Sequence, residues 1–102
     1  MKLLTQEIRK KLPPLYSQED KGGKAVAYLK MFTPDSSYTF FATEFDGEDT
    51  FFGLVDGHEK ELGYFSLKEL ESVRGGLGLP IERDLYWTPK TLEEIAPEMF
   101  KD

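Results

Sequence analysis

Apolar positions along this chain fall into two periods, and the changes between them outline the fold. Leu4, Ile8 and Leu12 recur at four-residue spacing around Thr5, which predicts a short capped helix that Pro13 and Pro14 stop. From Ala25 to Thr33 the pattern turns extended. Val26, Tyr28 and Phe32 alternate with Ala27, Leu29 and Met31, so both faces of this first strand are apolar. Tyr38 to Phe45 reads as a second strand, with Tyr38, Phe40, Ala42 and Glu44 on one face and Thr39, Phe41, Thr43 and Phe45 on the other. Phe51 to Val55 and Leu62 to Phe65 supply a third and a fourth. The helical period returns at Ser66, where Ser66 and Glu69 form a capping-box pattern ahead of Leu67, Leu70 and Val73. Thr91 with Glu94 repeats that pattern before Leu92 and Ile95.

Turn residues separate these elements. Pro34-Asp35-Ser36-Ser37 joins the first two strands, because proline fixes its own φ and short polar side chains bond nearby backbone. Asp46-Gly47 is a hairpin signal, since a type I′ turn needs positive φ at both central residues, and Asp56-Gly57 opens the next turn. Gly75, Gly76 and Gly78 read as a helix stop, and Pro97 ends the last helix. Ser17 to Lys24 reads as a polar, mobile loop, and Ile81 to Thr88 as an added extended segment. The expected architecture is α+β: an antiparallel four-stranded meander with short N-terminal, middle and C-terminal helices, forming a single domain over 1–102.

Composition narrows what such a domain does. Aromatic residues make up 14% of the 102 positions, enough for a short chain to bury a core. The absence of cysteine excludes a disulfide framework, a thiol nucleophile and a thiolate metal site. Residues 1–15 intersperse apolar positions with charges, unlike a signal peptide or a membrane span, so the expectation is a cytoplasmic protein that does not engage a membrane. The net charge of −6 is split along the chain. Residues 1–30 carry seven Lys and Arg against three acids, and residues 31–102 carry six against sixteen. Such an acidic balance suits solubility or a basic partner and disfavours direct nucleic-acid binding.

The acids cluster at the hairpin, in Glu44, Asp46, Glu48 and Asp49. If Asp46-Gly47 alone forms the loop, Glu44 faces Asp49 across the strands, and like charges in that position call for a proton or a hard cation such as Ca²⁺ or Mg²⁺. If Asp46 to Asp49 forms the loop, Glu44 faces Phe51 and the acids point into water. His58 stands beside Glu59 in a turn with no nucleophile placed near it, so no catalytic residue and no cofactor is indicated. Tyr28, Phe32, Tyr38, Phe40, Tyr64 and Phe65 could stack single-stranded nucleic acid, but the basic groove this requires is missing. Trp87 is the natural anchor for a protein partner if it is exposed.

The runs Thr43-Glu44-Phe45-Asp46-Gly47, Asp49-Thr50-Phe51-Phe52-Gly53, Gly63-Tyr64-Phe65-Ser66-Leu67 and Leu79-Pro80-Ile81-Glu82-Arg83-Asp84-Leu85, with Lys2 to Thr5 and Leu12 to Tyr16, resemble a family of small bacterial domains of unknown function. Members of that family are often encoded on plasmids, integrated elements and phages, so the resemblance implies a mobile-element accessory role and carries over no catalytic residue. The segments Ser17 to Lys24 and Asp56 to Lys60 match it least. The resulting expectation is a non-enzymatic protein that meets an unknown protein partner, such as a basic nucleic-acid-processing protein, through Glu44, Asp46, Glu48 and Asp49, with Trp87 as anchor. The alternatives are a small metal-binding domain or metal-dependent enzyme using Glu44 and Asp49, and a single-stranded nucleic-acid binder using the sheet aromatics.

Overall fold

The computed structural model describes residues 1–101. Thr5 accepts a hydrogen bond from the Ile8 amide through its side chain and starts helix α1, Gln6–Lys11. Leu12 is buried and Leu4 and Ile8 pack beside it, as their spacing predicts. Seven strands follow: β1 (Val26–Ala27), β2 (Leu29–Phe32), β3 (Thr39–Phe45), β4 (Thr50–Asp56), β5 (Lys60–Ser66), β6 (Glu82–Arg83) and β7 (Lys90–Thr91). Helix α2, Leu67–Ser72, is capped by Ser66, and α3, Leu92–Ile95, by a full capping box of Thr91 and Glu94.

The sheet has five antiparallel strands in the order β5-β4-β3-β2-β6, and β1 pairs separately with β7. The four-stranded meander is present but incomplete as a description. The extended segment after Ile81 adds a fifth strand, and the expected first strand divides at Tyr28 between two sheets. The division comes from distant partners: the Gln18 side chain bonds both the amide and the carbonyl of Val26, and β7 takes its other side, while Leu29 onward stays with β3.

Two cores lie on opposite faces of the large sheet. Leu29, Met31, Ala42, Phe45 and Phe51 form one with α1, α2 and Ile81. Phe41 and Leu54 form the other with Ala25, Ala27, Leu92 and Ala96, edged by Trp87 and Phe100. Burying side chains of this size contributes about 1.5–3 kcal/mol each.

The faces read from simple alternation hold only to Ala42. Ala42 pairs with Gly53, but Glu44 pairs with Phe52, so Thr43 is an extra residue and makes a β-bulge. The Thr43 hydroxyl donates to the Phe52 carbonyl at 3.0 Å. The bulge moves Phe45 onto the first core's face and turns Glu44 to the opposite one. Gly53 makes this possible, since a Cβ there would lie 1.8 Å from the Phe41 carbonyl oxygen.

The hairpin register also differs from both expectations. Phe45 pairs with Phe51, so Glu44 faces neither Asp49 nor Phe51. The reason is the Asp46 carboxylate, whose Oδ1 accepts from the amides of Glu48, Asp49 and Thr50 at 2.8, 2.8 and 3.0 Å and thereby opens a wider turn than type I′. Gly47 supplies the positive φ this turn needs. Residues 17–24, expected to be a polar loop, pack onto the fold: Gln18 is buried, and Glu19–Lys24 makes 3₁₀ turns on either side of a kink at Gly22.

Candidate functional site

Two of the tip carboxylates, Asp46 and Asp49, have partners within the fold. Three backbone amides hold the Asp46 carboxyl below the usual carboxylate range. Asp49 accepts from the Ser66 hydroxyl at 2.6 Å and from the Lys68 amide at 2.8 Å, and those two bonds, the hydroxyl first, likewise lower its pKa. Asp49 thus fastens the hairpin tip to the start of α2. Glu48 is exposed, and its carboxylate makes no hydrogen bond among the described residues. Trp87 is half-buried: its indole N–H donates to the Ala27 carbonyl at 3.0 Å, its ring packs on Phe41, and Lys30 and Lys90 lie over its face.

Glu44 has a different environment. It is 3% exposed, and each of its oxygens accepts a backbone amide at 2.8 Å, Oε1 from Tyr16 and Oε2 from Gln18. Both oxygens therefore accept backbone bonds that no side chain shares. No cationic side chain answers this charge: the ion pairs among the described residues are Lys30–Asp84 and Lys60–Glu98. Nor do three or more His, Asp or Glu side chains gather anywhere among the described residues to hold a metal, and the register separates Glu44 from Asp49 as a ligand pair.

The bulge aligns Glu44 with Phe52 of β4, which in turn pairs with Tyr64 of β5, so one row crosses three strands. Directly opposed residues project on the same side of a sheet. The Phe52 and Tyr64 rings meet edge to face at 5.0 Å. Leu92 and its neighbours cover Phe41 and Leu54 on this face, whereas beyond them Phe52 is half-buried and Tyr64, with Leu62 beside it, is exposed. Tyr16 overhangs them from the preceding segment with a left-handed φ of 73°. Such backbone is costly for a tyrosine and is held here by the bond from its amide to Glu44.

Together these groups enclose an open cavity of about 190 Å³, lined by Tyr16, Glu44, Phe52, Leu62 and Tyr64, with Glu19 at its edge. Tyr16, Tyr64 and Leu62 are 63%, 55% and 44% exposed. Hydrogen bonding with the Tyr16 side chain, then lost hydration and the negative charges of Glu44 and Glu19, raises the Tyr64 phenol above its ordinary pKa. The field inside the cavity therefore opposes a further negative charge.

Of the residues singled out from sequence, the structure brings Glu44 and Tyr64 to this cavity, Tyr64 having been considered there only as a stacking ring. Tyr16, Phe52, Leu62 and Tyr64 were missed as a set because the bulge and the return of residues 16–18 assemble them. One signal was available: a lone glycine inside a strand, Gly53, marks a bulge or a close backbone approach. Of the six rings considered for stacking nucleic acid, Tyr64 alone is exposed; Tyr28, Phe40 and Phe65 pack against the first core.

Fold and cavity define the class: a small α+β domain with one half of one sheet face left open. The chain belongs to the family described as protein of unknown function (DUF2958), whose model matches residues 3–95. No curated protein and no solved structure matches it. Among the described residues no helix is long and apolar enough to cross a membrane.

Proposed function

We propose that this domain is a non-enzymatic binding module that meets a protein partner on the open end of its sheet, over Tyr16, Leu62 and Tyr64. The observation that carries this reading is the exposure of two aromatic rings and a leucine around one cavity, next to a sheet end that α3 covers. Large apolar side chains clustered in this way characterise recognition surfaces. The acidic rim keeps a lesser part, with Glu48 and the net charge of −6 steering a basic partner toward the face. Asp46, Asp49 and Trp87 support the scaffold. An accessory role on mobile elements rests on the family resemblance, and a basic nucleic-acid-processing protein as partner rests on the acidic charge.

Site-specific photo-crosslinking tests the face. A benzophenone side chain at position 62 should trap a discrete partner in the cell that encodes the protein, and Tyr64→Ala should abolish the product. The same probe at Glu71, on α2, should trap none. Equal products from both positions would remove this reading.

A further inference from the structure

Resting on that reading of the face, we infer that the cavity beside Glu44 receives the alkylammonium end of a lysine side chain from the partner. Two features of the cavity converge on a cation. Its lining holds the buried Glu44 carboxylate, whose two backbone bonds use one acceptor position on each oxygen and leave the others free, and which joins no ion pair among the described residues. Its lining includes Tyr16, Phe52 and Tyr64, aromatic side chains of the kind that attract an organic cation, and with Leu62 and Leu92 they offer apolar surface to a methylene stem.

Size and ligand chemistry select the occupant. About 190 Å³ lies below the range of some 300–1,000 Å³ that drug-sized ligands fill, so the cavity accepts one side chain. A hard metal ion prefers several oxygen ligands, whereas no group of three or more His, Asp or Glu side chains gathers among the described residues and the cavity surface is mostly apolar. A carboxylate or phosphate ligand would meet Glu44 and Glu19 unscreened. The open mouth lets the stem of a lysine enter while its backbone stays outside, against the exposed Leu62 and Tyr64.

The test titrates the whole protein with N-acetyl-lysine amide, following the aromatic NMR signals of Tyr16, Phe52 and Tyr64. N-acetyl-norleucine amide serves as the neutral probe of similar shape, and spermidine and butylammonium as free amines. The lysine probe should shift the three rings and saturate, and norleucine should bind at least about tenfold more weakly, the discrimination expected of a partly desolvated cation–π site with a carboxylate. Tyr64→Leu, at an exposed ring, and Glu44→Gln should each weaken the lysine probe by a similar factor, with folding verified by amide dispersion, and Glu71→Gln should leave it unchanged. Equal binding of norleucine would overturn the cation while leaving the binding face intact. Tighter binding of the free amines than of the lysine probe would overturn the partner's side chain as source. Absence of any shift at the solubility limit would overturn the site, and the crosslinking result would then judge the face separately.

Discussion

Glu44 and Asp46 stand two positions apart in one hairpin and illustrate two ways of holding a carboxylate. Asp46 bonds amides two, three and four residues ahead, so its partners are its own turn. Glu44 bonds amides 28 and 26 residues behind it, reached because the bulge at Thr43 rotates it onto the other face. The first arrangement consumes its charge in shaping a loop. The second leaves a charge lodged in the lining of a cavity, where low solvent access strengthens its action on whatever enters. Proximity in sequence therefore says little about which acid is available for recognition.

Substitutions separate the two arrangements, beginning with the bulge that distinguishes them. Gly53→Ala places a methyl group against the Phe41 carbonyl, where backbone on both strands must shift. The expected loss exceeds about 4 kcal/mol by chemical denaturation, or no folded protein accumulates. A loss below about 1 kcal/mol would show that the strands relax cheaply and that Gly53 does not enforce the register. Glu44→Ala should cost roughly 2–4 kcal/mol, because it strands two amides that a charged acceptor satisfied. Hydrogen exchange should then accelerate at Tyr16 and Gln18 while the β3–β4 amides stay protected; uniform acceleration would mean that Glu44 supports the whole sheet.

The smallest effect belongs to the tip and depends on pH. Asp46 and Asp49 have folded pKa values below their unfolded ones, so the stability they add is complete above about pH 4–5 and is lost as pH falls through the folded values. Asp46→Asn with Asp49→Asn should lower the neutral-pH melting temperature and flatten the acid limb of the stability curve. Glu98 and Glu94, lowered by Lys60 and by the Thr91 cap respectively, retain the remaining slope. Glu48→Gln, at an exposed carboxylate with no hydrogen bond among the described residues, should leave the neutral-pH melting temperature unchanged. An acid limb unchanged in the double variant would move the source of acid sensitivity away from the hairpin tip.

Sequence periodicity exposes the parts of this fold that local chemistry decides. The caps at Thr5, Ser66 and Thr91 and the place of the turn at Asp46 follow from side chains acting on backbone a few residues away. The strand at Ala25 to Thr33 looks continuous because nothing local breaks it; its division depends on Gln18 and on β7, from either end of the chain. Strict alternation past Ala42 would put Glu44 among Phe40 and Ala42 and send Phe45 away from Phe51. That conflict is the trace a bulge leaves in sequence, but it does not say which residue is extra. The packing of residues 17–24 was hidden because its determinants are a buried glutamine and a carboxylate on a distant strand.

The pairing of β1 with β7 sets a schedule for synthesis. A chain emerging from the ribosome can zip β2 to β5 and settle α1 and α2 upon them while residues 90–100 are still unmade. Until those arrive, Phe41 and Leu54 lie uncovered, because Leu92 and Ala96 complete their side of the sheet. The nascent domain thus exposes an apolar strip that its finished form conceals, and a message truncated before Leu92 yields a product with a folded first face and a sticky second one, marked for chaperone capture or aggregation.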